Sequence, residues 1–298
     1  MDWKNTSCEN NECSITAGGV WSPKVTPSVI LEITLTVLFG LSIGSFLNVC
    51  ICRIPEELSV VKPPSNCPKC NNEIAWYDNI PVLSYILLRG KCRHCSTKIS
   101  VQYPLIELLF AVILLHLYYH YFDSGYRLIA VTYFGAFSAC LLTATVIDLK
   151  HYIIPDEINL AGIIIACIGA MVYPRLVNED SIWAGLLHSA LGIGAGFASL
   201  RLVVYIGGII FRREAMGLGD PKFLAMIGAF IGFKMALLVI FISSLLGAVV
   251  GSIVIYLFRS DKSNTVIPYG PFLAVAGYVA LLYGNDLVQW YIRLISFE

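Results

Sequence analysis

Charge is what this chain most lacks. Of its 298 residues only 13% are Asp, Glu, Lys or Arg, against about 25% in a water-soluble domain. A deficit of that size excludes an ordinary aqueous surface. The net charge is zero, so no global field draws the chain to nucleic acid. A glycine-rich nucleotide loop between strand and helix is missing, as are a convincing internal repeat and any low-complexity tract. The first 27 residues lack both a basic start and a small-residue cleavage site before the first apolar run. They read as a polar extracytoplasmic tail (1–27) ahead of an uncleaved anchor, not as a signal peptide.

What is present is apolar. Hydrophobic residues make up 57% of the chain and mean hydropathy is +0.74. No charged residue occurs in Ile33–Cys52, Leu128–Ile147, Ile182–Leu200, Met235–Phe258 or Ser263–Asn285. About 20 apolar residues cross a bilayer as a helix, and these runs reach or approach that length. Three further segments are shorter or carry one charge: Tyr103–Phe122 with Glu107, Ile158–Pro174 and Pro221–Phe233. The expectation is an all-α polytopic membrane protein of about eight transmembrane helices. These lie near 28–52, 103–122, 127–147, 158–174, 182–211, 221–233, 235–258 and 267–290. The loops between them carry 13 Lys or Arg on one side and 6 on the other, with Arg201 inside a helix. The positive-inside rule puts the richer side in the cytoplasm and the N-terminus outside. One long polar segment, Arg53–Ser100, interrupts the helices as a compact cytoplasmic loop domain. The chain thus divides into the tail, an anchor with its loop (28–102) and a membrane core (103–298).

Within the loop, Cys67-Pro-Lys-Cys70 and Cys92-Arg-His-Cys95 form two C-x2-C pairs separated by 21 residues. Two thiolates three apart in a tight turn can face one ion, and two such turns complete a tetrahedron. Zinc favours that arrangement, with sulfur at about 2.3 Å. A reducing cytoplasm disfavours disulfides; redox-active or incidental cysteines are the competing readings. With four protein ligands no position stays open, so the ion holds the loop together and does not catalyse. Cys50, Cys52, Cys140 and Cys167 fall in helices as small packing residues. Cys8 and Cys13 lie in the tail, where a disulfide is chemically allowed but their spacing defines no geometry.

A carboxylate inside lipid costs about 2.5–3.5 kcal/mol on insertion scales, so acids at helix ends in so uncharged a chain invite a functional reading. Asp148 closes one helix in Val-Ile-Asp148-Leu-Lys, and Asp220 opens another in Gly217-Leu-Gly219-Asp220-Pro-Lys222. Both fall on the cytoplasmic side at similar depth. Two carboxyls within hydrogen-bond reach cannot both ionise readily, so one keeps its proton while the other deprotonates a water that attacks an amide. Gly217 and Gly219 give backbone freedom beside Asp220. The plainer alternative is acids that snorkel to water, with Asp220 favoured by the helix dipole. Asp156 and Glu157 compete for the same role, although Asp156 after Pro155 looks like a helix N-cap.

Several boxes taken together carry a resemblance. They are Gly44-Ser-Phe-Leu-Asn48-Val with Arg53-Ile-Pro55, the four cysteines, Asp78-Asn-Ile-Pro81-Val-Leu-Ser84-Tyr, Leu88-Arg-Gly90-Lys, Tyr103-Pro104-Leu-Ile-Glu107, Ile-Pro-Asp156, Gly-Leu-Gly-Asp220-Pro-Lys and Ile267-Pro-Tyr-Gly270-Pro271-Phe. In that order and spacing the chain resembles the bacterial type IV prepilin peptidases, GxGD-type aspartyl peptidases, from the first helix onward. The resemblance implies a protease of the bacterial inner membrane with Asp148 and Asp220 as catalytic pair. It also implies prepilin or pseudopilin substrates of pilus or type II secretion systems, cut between a basic leader and an apolar helix. It further implies a second, methyltransferase activity on the new N-terminus with S-adenosylmethionine as donor. Gly90 and Glu107 occupy positions linked to that activity, though by themselves they look like a turn residue and a snorkelling acid. The tail has no counterpart in the family, and Gln102 stands where Arg is expected. Two readings of other kinds compete: a transporter or channel with a zinc-bound regulatory loop, or a scaffold for secretion machinery. A different intramembrane aspartyl protease would share the Gly-x-Gly-Asp turn without needing the cysteines.

Overall fold

The computed structural model describes residues 26–211, 217–258 and 267–296. Nearly all of the predicted tail, with Cys8 and Cys13, lies outside the described residues. The helices run in the order α1 (Pro27–Arg53), α2 (Leu83–Leu87), α3 (Gln102–His120), α4 (Arg127–His151), α5 (Asp156–Val172), α6 (Ile182–Phe211), α7 (Gly219–Phe258) and α8 (Gly270–Ser296). Short 3-10 turns and two isolated β-bridges lie in the connections between them. The chain is an all-α, polytopic membrane protein.

Among the described residues six helices, not about eight, are long and apolar enough to span a membrane: α1, α3, α4, α6, α7 and α8. Two features account for the difference. The segment predicted at 158–174 is α5, whose 17 residues make about 25 Å of helix against a hydrocarbon thickness of about 30 Å. The segments predicted at 221–233 and 235–258 are two helical limbs that follow one another without a loop and count together as α7; they meet at Gly232, with φ 79° and ψ 172°. The chain folds back there, because a β-carbon on Gly228 would lie 3.4 Å from that of Ala236. In a straight helix eight residues span about 12 Å. The positive φ is open to glycine and strained for any side chain.

Lipid offers no hydrophobic drive between helices, so small residues and polar ties set the packing. Gly192 and Gly196 of α6 approach the backbone of α7 at Gly228 and Leu224. Gly40 and Gly44 of α1 lie against Ala111 and Glu107 of α3. At one end of the bundle Glu32 accepts from Tyr118 Oη (2.9 Å) and Arg127 Nη2 (2.5 Å), tying α1, α3 and α4 together. At the other end Asn48 Nδ2 donates to the Tyr103 carbonyl at 3.1 Å. The core between is aromatic and aliphatic, with Phe137 and Tyr133 of α4 packed on Phe230 of α7 at 4.7 and 4.9 Å between ring centres.

A leucine at position 192 is expected to lower the unfolding temperature in detergent clearly, because its β-carbon would fall 1.9 Å from the Gly228 carbonyl oxygen. Overpacking of this kind costs about 1–3 kcal/mol or more. Gly194→Leu, where a β-carbon meets nothing within 4 Å, is expected to leave that temperature nearly unchanged.

Candidate functional site

Asp148 and Asp220 are both buried, at 5% and 9% exposure. Asp148 stands one turn before the end of α4, where Tyr152 in a left-handed conformation caps the helix by donating to the Asp148 carbonyl. Asp220 is the second residue of α7. The helix fold thus brings two acids, far apart in sequence, to the same end of the bundle: Asp148 beside Gly270, and Asp220 next to Gly219, with Ile154 against both glycines.

Two residues not singled out individually from the sequence complete this corner. The Gly270 amide, at the first residue of α8, donates to Asp148 Oδ2 at 2.9 Å. A β-carbon at 270 would lie 2.6 Å from that oxygen, so only glycine permits the approach. Buried Ile154, in the α4–α5 turn, fills the space between the starts of α7 and α8: it would be 3.3 Å from a β-carbon on Gly219 and 3.1 Å from one on Gly270. Their signals were the Ile-Pro-Asp156 and Pro-Tyr-Gly270-Pro boxes, legible as motifs but not as contacts. Tyr269 fixes the same end through a 2.6 Å hydrogen bond with Ser243 of α7.

Asp156 departs from its expected N-cap role. Pro155 is the N-cap of α5 and Asp156 its first residue, with no capping hydrogen bond. Its carboxylate instead receives Lys222 Nζ at 2.6 and 2.8 Å, two residues past Asp220. Gly219 has no positive φ. What Gly219 provides is close packing against Ile154, not backbone freedom.

In the loop, the four cysteine sulfurs lie within 4.8 Å of one another. Cys67 and Cys95 Sγ are 3.7 Å apart, close to the edge, about 3.8 Å, of a tetrahedron with metal–sulfur bonds of about 2.3 Å. The cluster can bind a metal. Two turns of the same build present it. Asn71 donates to the Cys67 carbonyl and Ser96 to that of Cys92, both donors at φ 55°. Bridges at Asn66–Glu73 and Lys91–Lys98 close the two turns alike. A short structural repeat therefore exists that the sequence reading missed, because the two halves share only cysteines and an isoleucine. The Thr97 hydroxyl and amide pull the Cys95 thiol down to about 6. The Asn72 amide lowers Cys70, yet burial and the neighbouring sulfurs push it up to about 11.

Gly90 has φ 65° and ends the turn after α2, donating to the Tyr85 carbonyl at 2.9 Å. Glu107 is buried in α3 and accepts the Val82 amide at 2.7 Å. Both shape the loop. Cys50 is buried, Cys140 and Cys167 are half-buried in helices, and Cys52 is exposed.

Residues 38–121 match the bacterial peptidase A24 N-terminal domain, and residues 135–252 match the type IV leader peptidase family. Three relatives bear the name prepilin leader peptidase/N-methyltransferase. That of Xanthomonas campestris is 36% identical, covering 85% of this chain and 92% of its own. That of Pseudomonas aeruginosa is 34% identical, covering 88% and 94%. That of Myxococcus xanthus is 39% identical, covering 72% and 60%. No solved structure gives a significant match.

The second metal turn is tied to the rest of the loop by Arg93, which grips Asp78 through Nε at 2.7 Å and Nη2 at 2.5 Å. Arg93 beside Asp78 holds that carboxyl below the usual carboxylate range. A depressed folded-state value means the tie stabilises above the unfolded value, about 3.9, and fades as pH falls through the folded one. Asp78→Asn is therefore expected to speed amide exchange in residues 67–99 at pH 7. The gap from the parent should close below about pH 4.

Proposed function

The chain belongs to the type IV leader peptidase family, and from that premise we propose that it cuts the basic leader from type IV prepilins or pseudopilins with Asp148 and Asp220. The observation that carries this is the pair of buried carboxyls brought to one end of the bundle from α4 and α7. In the proposed reaction one carboxylate removes a proton from water. The resulting nucleophile attacks the scissile carbonyl carbon while the other carboxyl, still protonated, donates to the carbonyl oxygen. Collapse of the tetrahedral intermediate breaks the C–N bond and the proton held by the base passes to the leaving amine. Asp148, whose oxygen accepts the Gly270 amide, is the better seat for negative charge and takes the part of base.

The same proposal sets the protein in a bacterial inner membrane, with its N-terminus outside and the acids facing the cytoplasm, in line with the loop charges. Residues 28–102 serve as anchor and metal-binding loop, and 103–298 as peptidase core. The metal is zinc, held by Cys67, Cys70, Cys92 and Cys95 in a closed structural site; the sulfur spacing supports it. A second activity, N-methylation of the new terminus, draws its methyl group from S-adenosylmethionine. Glu107 and Gly90 are already engaged with Val82 and Tyr85, so their part in it is to shape the loop.

Asp148→Asn and Asp220→Asn are each expected to lower leader cleavage by at least about 10²–10⁴-fold, measured with purified prepilin, while unfolding temperature stays close to that of the parent. Cleavage that survives Asp220→Asn removes the mechanism. Mass spectrometry of the parent's product is expected to show one added methyl only when the donor is supplied. Cys70→Ser is expected to lower bound zinc from about one ion per chain toward none; unchanged metal content rejects the site.

A further inference from the structure

Glu107 fixes the depth of a segment whose apolar side chains point outward. α3 has 19 residues, about 28 Å of helix, so its whole length is needed to cross a hydrocarbon layer of about 30 Å. Glu107 stands five residues in, about 7.5 Å below the helix start. By accepting the Val82 amide it draws the loop to that depth. Val82 is held there at φ 59°, a conformation strained for a β-branched residue, so the surrounding contacts over-determine its position.

α2 begins at the next residue. Leu83, Ile86 and Leu87 share one helical face and are 50%, 63% and 72% exposed. Ser84 is buried and donates to the Tyr77 carbonyl at 2.9 Å, so α2 packs on the loop through its other face. Exposed Arg89 and Lys91 follow. Residues 53–100 hold seven Lys or Arg against four Asp or Glu, a surplus of three positive charges. Trp76 is 81% exposed just before the Tyr77 that receives Ser84.

We infer that α2 is an interfacial anchor: Leu83, Ile86 and Leu87 enter the leaflet beside the loop, and Arg89 and Lys91 engage anionic lipid headgroups. Interfacial helices bury their apolar face about 5–10 Å, which matches the depth set by Glu107. Basic side chains within about a Debye length of an anionic surface, about 8 Å at physiological salt, add attraction. The amphipathic ring of Trp76 suits the same border.

The test uses the full chain in vesicles of phosphatidylcholine alone or mixed equally with phosphatidylglycerol, read by hydrogen exchange at residues 83–91 with α6 as internal reference. Exchange is expected to be about tenfold slower in the anionic vesicles. Arg89→Gln with Lys91→Gln, or high salt, should remove that difference; Ile86→Asp with Leu87→Asp should remove protection in both vesicles. Should the aspartate variant disturb α6 exchange or metal content, the deciding measurement is brominated-lipid quenching in the parent, expected to drop in Trp76→Phe. Equal exchange in both vesicles with no loss of quenching in Trp76→Phe overturns the anchor. Protection that arises only with added prepilin assigns the face to substrate, and protection that grows with protein-to-lipid ratio assigns it to a second copy. Either overturns it.

Discussion

The Gly270 amide reaches Asp148 Oδ2 across 122 positions of chain, and the geometry of the bundle follows from keeping that contact. A buried carboxyl with no donor costs about 1–3 kcal/mol or more, so the end of α4 and the start of α8 are held at one level. Glycine is required at 270 because the oxygen lies where a side chain would begin. α8 can start there only if α7 returns to the same side. The reversal at Gly232 provides for this, with Tyr269 bonded to Ser243 on the returning limb. Ile154 then fills the gap between the starts of α7 and α8, which puts Asp220 in the same corner as Asp148.

Much of this was legible in the sequence, and the rest was hidden for identifiable reasons. The charge-free runs marked the helices because lipid tolerates nothing else at that length. The two C-x2-C pairs marked the metal cluster because spacing alone nearly fixes its geometry. The number of spans differs where length decides: α5 is short, with 17 residues, and the two predicted segments on either side of Gly232 follow one another without a loop and count as one element. Asp156 carried a capping signature, but a lysine 66 positions away competes for its carboxylate, and local pattern cannot see such a partner. Ile154 and Gly270 were visible as parts of motifs; which atoms they touch depends on the tertiary fold.

The loop is stiff at two places for different physical reasons. Around the cysteines, paired turns with matching left-handed residues converge on one centre, so each turn positions the other through the sulfurs. At Val82 the restraint is a single buried carboxyl acceptor in a helix, and the strained φ shows that the loop bends to meet it. Asp78 and Arg93 connect the two places, since Asp78 lies in the turn before Val82 and Arg93 between Cys92 and Cys95. A loop tied at both points is held to α3 through Glu107.

The position of the acids argues against ion transport. Asp148 lies three residues from the end of α4 and Asp220 one residue into α7, so each is within about 5 Å of its helix terminus. Coupling-ion sites sit near the bilayer midplane, about 15 Å from either border. The acid–base group at the opposite end, Glu32 with Arg127, is an ion pair stacked on Tyr118 and Phe122, and its charge is spent on joining helices. Hydrolysis has the contrary requirement: water and an extended peptide must reach the carboxyls, and both come from the aqueous side. Acids shielded by Ile154 yet seated at the border meet that need, whereas a pair at the midplane would have to draw its water through lipid-facing helices.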